Sequence, residues 1–188
     1  MIEIFVDADA CPVKEEVFRV ARRYGLKVHV VSNSRMRIPG DGFVEMVVVS
    51  DRFDAADDWI AEHVRTGDIA VSADIPLASR CLEKGARVLD PKGRVYTRES
   101  ICGALANREL TAYLRDMGTM TGGPAPYKKR DRSCFLQRLD GLVQAALRGK
   151  RPHAGSGAAI HTSTRQGEEA VDFACMTVHL FPINRRNP

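Results

Sequence analysis

No stretch of this sequence approaches the roughly 18 apolar residues needed to cross a bilayer. The first apolar run is broken at Glu3, and no basic segment precedes it. Neither a membrane span nor a secretory leader is expected, and the chain reads as cytoplasmic. Cysteine is sparse: Cys11, Cys81, Cys102, Cys134 and Cys175 are odd in number, scattered and without a C-x-x-C pair. That pattern suggests neither a disulfide framework nor a structural zinc site. Charge of one sign is also scarce. A net charge of +4 permits a nucleic-acid partner without demanding one, because polyanion binding depends on clustering. No internal repeat is visible.

What is present is an ordinary globular composition, 44% hydrophobic and 28% charged over 188 residues, enough for one buried core with an appendage. Up to about residue 90, short β-branched runs alternate with helical stretches. "IEIFV" reads as strand. Pro12 suits a first helical turn, after which Val13, Val17, Val20, Ala21 and Tyr24 recur at helical spacing until Gly25 ends the helix. "KVHVV" and "VEMVVV" read as strands flanking the loop "SNSRMRIPGDG"; a helix is expected from about Asp54 to Thr66, then strand "IAVSA", helix "PLASRCLEKG" and strand "ARVLD". This alternation predicts an α/β three-layer sandwich with a mostly parallel central sheet.

After Pro91 the pattern reads as helical. One helix is expected over 98–117, with apolar positions Ile101, Leu105, Leu110 and Leu114. A second runs through "DRSCFLQRLDGLVQAAL", with Phe135, Leu139, Leu142 and Val143. Between them lies a glycine- and proline-rich loop, "GTMTGGPAPYKKRDR". From about Arg151 helix signals fade. The domain division is therefore read as 1–150 for the α/β domain and 151–188 for an irregular tail, either disordered or foreign to the fold.

Acidic residues collect where strands are expected to end. Asp7 and Asp9 follow the first strand, Asp74 follows "IAVSA", and Asp54, Asp57 and Asp58 open a helix. In open α/β sheets the ligand crevice lies at the carboxyl ends of the strands. In extended chain Asp7 and Asp9 share a face about 6.6 Å apart. Asp57 stands three, four and seven residues before Ile60, Ala61 and Val64, on the inward stripe, whereas Asp58 falls outside and Asp54 is placed to cap the helix with its side chain. Two carboxylates at 4 Å repel by about 4 kcal/mol at an effective dielectric of 20. A hard cation, Mg2+ or Mn2+, would relieve that repulsion.

The segments "VDADACPVK", "FDAADDWIAEH", "VSADIPLA" and "GGPAPYKKRDRSCFLQRLD" closely resemble the YaiI/YqxD family of bacterial proteins, grouped with PIN-like domains, over roughly residues 1–150. The resemblance implies a PIN-like fold in which rim acids hold magnesium or manganese for phosphodiester hydrolysis. It implies that Asp7 is the first-strand aspartate, Asp57 the helix acid, and Asp74 the aspartate of a T-x-D signature written here with Ser72. Asp9 and Asp90 are candidates for a fourth acid. Catalysis is thus expected of Asp7, Asp57 and Asp74, and metal binding of these together with Asp9.

A polyanionic substrate needs cations beside that rim. Arg35 and Arg37 lie in the loop after the second strand, and Lys128, Lys129, Arg130 and Arg132 cluster beside Tyr127, a candidate stacking surface. RNA is the expected partner, and PIN-like domains often pair, so a homodimer is a further expectation. Two rival functions fit the residues. "FVDADAC" matches the D-x-D strand end of haloacid dehalogenase-type phosphatases, with Asp7 as nucleophile and Asp9 as acid/base. A regulator that binds RNA or a nucleotide without cleaving it is the other.

Overall fold

The computed structural model describes residues 2–9, 11–117 and 127–149. The expected tail, 151–188, and the glycine-rich part of the loop, 118–126, lie outside the described residues. The elements run in the order β1 (Glu3–Asp7), α1 (Lys14–Tyr24), β2 (Lys27–Ser32), β3 (Val44–Val48), α2 (Ala55–His63), β4 (Ile69–Val71), α3 (Ile75–Glu83), β5 (Arg87–Leu89), β6 (Val95–Tyr96), α4 (Arg98–Asp116) and α5 (Lys129–Gly149).

The strands form one sheet in the order β3-β2-β1-β4-β5-β6, parallel except for β6. The expected α/β three-layer arrangement is what the chain adopts. Side-chain alternation makes two cores. Ile4, Val6, Val28, Val30, Ile69, Val71 and Leu89 pack with Val17 and Val20 of α1 and with Phe135, Leu139 and Val143 of α5. Phe5, Val31, Ala70 and Val88 pack on the other face with α2, α3 and the start of α4, including Ile60, Leu77, Cys81 and Ile101. Chain order reverses direction between β1 and β4, so the carboxyl ends of those two strands border the crevice where such folds bind ligands.

Local signals account for most boundaries. Gly25 closes α1 in the left-handed region, at φ 63°, a conformation that costs glycine nothing. Pro76 sits in the first turn of α3 behind the N-cap Asp74. Thr97 and Ser100 form a reciprocal capping box at the start of α4.

Three expectations need correction. The helix expected from Asp54 to Thr66 stops at His63, where Val64 turns extended (ψ 139°), and Asp54 gives α2 no side-chain cap bond because its own backbone is left-handed, at φ 59°. An N-cap side chain reaches the first-turn N–H groups from the β region, not from this one. The segment after Pro91 is not purely helical. Asp90 Oδ1 accepts the N–H groups of Lys92 and Arg94, and the resulting turn pairs β6 antiparallel with β5. Two residues are too few to show a strand period. Leu110, one of the apolar positions of α4, is 55% exposed, alongside exposed Tyr113 and Met117. At 1.5 Å per residue α4 is about 28 Å long and its neighbour α3 about 13 Å, so the far half of α4 outruns its cover. No helix among the described residues is long and apolar enough to cross a membrane.

Candidate functional site

Asp7 is the last residue of β1, and alternation puts it on the face of Phe5, toward the layer built by α2 and α3. The parallel register aligns Val6 with Val71, so the next pair brings Asp7 beside Ser72. The Ser72 hydroxyl donates to Asp7 Oδ2 at 2.9 Å, and both residues are buried. Burial is the largest influence on Asp7 and pushes its carboxyl above the usual range. The Ser72 hydroxyl and the Asp9 N–H pull it back, and the charges of Asp9 and Asp74 push it up again.

Ser72 also accepts the Asp74 N–H at 2.9 Å, so one hydroxyl ties both acids to the end of β4. Asp74 caps α3 by accepting the Leu77 N–H on Oδ2 at 3.1 Å, while Arg108 stands 3.6 Å from Oδ1. Asp57, half-buried in the first turn of α2, has its carboxyl pushed up to about 6, first by burial and then by the charges of Asp7, Asp74 and Asp54, with Arg80 opposing. Asp58 is occupied by Arg52 and Arg80, each at 2.9 Å. Asp9 turns toward the β2 end, where the Ser32 hydroxyl donates to Oδ1 at 2.6 Å. Asp90 follows β5, and its Oδ1 is taken up by the turn that leads to β6.

Asp7, Asp9, Asn33, Ser50, Asp51 and Asp57 line a polar cleft of about 280 Å³, completed by Arg52, Phe53 and Asp54. That volume sits at or below the low end for small-molecule sites, which suits part of a polymer better than a whole cofactor. Asp74 is not among the residues lining the cleft, but its charge acts on Asp57 within it. Among the described residues, no three His, Cys, Asp or Glu side chains converge closely enough to hold one ion in common.

The expected basic residues divide. Arg35 and Arg37 are exposed in the loop after β2, Arg37 against α1 beside Glu15 and Arg22, outside the acidic cleft. Lys128, Lys129 and Arg130 are exposed at the start of α5. Tyr127 is not a free stacking surface. Its hydroxyl donates to the Pro91 carbonyl at 3.2 Å, its ring packs against the α1/α5 core, and Arg132 lies 5.9 Å from the ring centre while pairing with buried Glu16 at 3.3 Å. Among the described residues lining the acidic cleft, Arg52 is the one cation.

Several polar groups at the rim carried little signal. Ser32 was legible only as the residue after a hydrophobic run. Lys14, whose ammonium donates to the Ala8 carbonyl at 3.2 Å, was legible only as the end of "VDADACPVK", and Arg108, thirty-four residues from Asp74 in sequence, had no signal. Cys11 is buried, with its thiol pushed up to about 11 chiefly by desolvation, so it is no ready nucleophile. His29 stacks on Phe5 at 4.8 Å and His63 on Trp59 at 3.9 Å; both are packing groups.

The family model described as an uncharacterised bacterial group, the YaiI/YqxD family, matches residues 5–145. The chain is 57% identical over 154 residues to a UPF0178 protein of Rhodospirillum centenum, covering 80% of this chain and all of the relative. A UPF0178 protein of Brucella ovis is 58% identical over 138 residues, 73% of this chain and 86% of the relative. One from Rhodospirillum rubrum is 51% identical over 150 residues, 79% of this chain and all of the relative. No solved structure matches the chain.

Proposed function

This chain belongs to the uncharacterised YaiI/YqxD family, and from that premise we propose that it is a divalent-metal-dependent nuclease of PIN-like type, hydrolysing phosphodiesters of RNA rather than DNA. The observation that carries this reading is that Asp7, Asp9 and Asp57 line one polar cleft, where burial and the charges of Asp7 and Asp74 push the Asp57 carboxyl up to about 6. Acids from β1, α2 and the α3 N-cap thus share one electrostatic field, and perturbed acids in a cleft mark functional sites.

The donor set fits a hard ion. Magnesium keeps several waters and takes one or two carboxylates plus substrate oxygens, so it does not require three side chains to converge. Asp7 and Asp57, with Asp9 and Asp74 nearby, would hold Mg2+ or Mn2+, which would supply Lewis acidity toward the phosphodiester. The remaining work falls to the chain itself. Ser72 orients Asp7 and fixes the turn that carries Asp74. Ser32 keeps Asp9 at the rim. Burial and the neighbouring charges raise the Asp57 carboxyl in the metal-free protein, and a bound cation would displace its proton. Arg35, Arg37, Lys128, Lys129 and Arg130 would hold phosphates along the rim, with Tyr127 and Arg132 contributing less because they serve the core.

Purified protein offered labelled single-stranded RNA, the matching DNA and a phosphate monoester, each with manganese and with EDTA, tests the proposal. Manganese-dependent RNA cleavage abolished in Asp7→Asn supports it. Monoester turnover alone would point to the phosphatase, and metal-independent RNA binding without turnover to the regulator.

A further inference from the structure

Phe53 stands out against the whole surface. It is 88% exposed, more than any other large hydrophobic residue described, and it lines the same polar cleft as Asp7 and Asp57. A phenyl ring left this open gains nothing for folding, since apolar area stabilises only when removed from water. The backbone around it is held, not slack. Arg52 on one side is bound to Asp58 of α2 at 2.9 Å, and its carbonyl accepts the Ala55 N–H at 3.1 Å. Asp54 on the other side takes the left-handed conformation, the one positive φ among described residues other than glycine, and its carbonyl accepts the Asp58 N–H at 2.8 Å. Aspartate tolerates that conformation at some cost, and such outliers persist where the surrounding structure enforces them. The turn therefore presents the ring outward at the mouth of the acid cleft.

We propose that Phe53 is the base-stacking platform of the site, holding one unpaired nucleobase while Asn33 and Ser50 in the same cleft contact its edge. This deepens the nuclease reading and rests on it: the substrate class becomes single-stranded nucleic acid with an unstacked base next to the scissile phosphate. Every base has a π-face, so recognition through Phe53 is tolerant of sequence. Double-stranded substrate, whose bases are already stacked, is a poor fit. Tyr127, the aromatic that the basic cluster suggested, is spoken for by Pro91 and Arg132.

The test compares the wild type with Phe53→Ala and Phe53→Trp on a labelled oligoribonucleotide and on a set of the same oligonucleotide carrying one abasic site at each position. Binding is read by fluorescence anisotropy with manganese, and cleavage by KM and kcat. Phe53→Ala is expected to weaken binding and raise KM about tenfold or more, with kcat little changed, and Phe53→Trp to stay near wild type. One abasic position should lower wild-type affinity to the Phe53→Ala level and leave that variant unaffected. Thermal melts of the surface variants should superimpose on the wild type. If Phe53→Ala binds intact and abasic RNA as the wild type does, while manganese-dependent cleavage persists, the platform is overturned and the nuclease stands. If the wild type neither binds nor cleaves RNA, both fall.

Discussion

The Ser72 hydroxyl lies 2.9 Å from Asp7 Oδ2, a bond between residues sixty-five apart that exists because β1 and β4 pair in parallel with Val6 opposite Val71. The same oxygen accepts the Asp74 N–H. A single side chain thus sets the direction of two acids that the sequence places on different elements.

Ser72→Ala should leave a buried Asp7 oxygen unpaired and lower stability by about 1–3 kcal/mol in urea titrations. If Asp7 acts as proposed, RNA hydrolysis should drop about 10–100-fold, as when an outer group that orients a ligand is lost. Ser72→Thr keeps the hydroxyl and should retain most of the activity. Equal activity in all three proteins would show that Asp7 needs no such support.

Stability of the metal-free protein should depend on Asp57. Its carboxyl holds a proton more tightly in the folded chain, at about 6, than at its ordinary 3.8. Between those values the folded state carries the extra proton, so its advantage is complete below about pH 4, is lost as pH rises from about 4 through about 6, and is gone above that. Discounted for partial exposure, the loss amounts to about 1–2 kcal/mol. Asp57→Asn in EDTA should flatten this decline and raise the urea midpoint at pH 7.5. Parallel pH profiles for the two proteins would disprove it.

Gly93 and Gly103 make a contrasting pair. Gly93 has φ +87°, and a Cβ there would meet Cys134 Sγ at 2.9 Å and the Phe135 nitrogen at 3.0 Å, so Gly93→Ala should destabilise by about 1–3 kcal/mol. Gly103 lies within α4 with nothing in reach of an added Cβ, and Gly103→Ala should stabilise by about 0.5–1 kcal/mol. Thermal melts of the two variants check both signs.

Thiol reactivity should rank by burial. Cys102 is exposed, whereas Cys11 and Cys81 are buried with thiols pushed up to about 11 and about 12 by desolvation. Alkylation at pH 8, followed by peptide mass spectrometry, should label Cys102 about a hundredfold faster than either. Rapid labelling of Cys11 in the folded protein would contradict its burial in the core.

Sequence alone determined the order of strands and helices as far as β5, the parallel layering and the position of Asp7 and Asp74 at strand ends, because hydrophobic period and capping residues are written within a few positions of each other. It also placed Asp57 on the inward stripe, since Ile60, Ala61 and Val64 follow at helical spacing. Tertiary structure decided which faces meet. The register that sets Ser72 against Asp7, the Arg108 beside Asp74 and the closing of Tyr127 between Pro91 and Arg132 all join segments far apart in the chain. The left-handed Asp54 and the outward Phe53 are likewise set by how α2 docks between Arg52 and the sheet. Local patterns report which side of an element is apolar; only the pairing of distant surfaces decides what each polar group finds there.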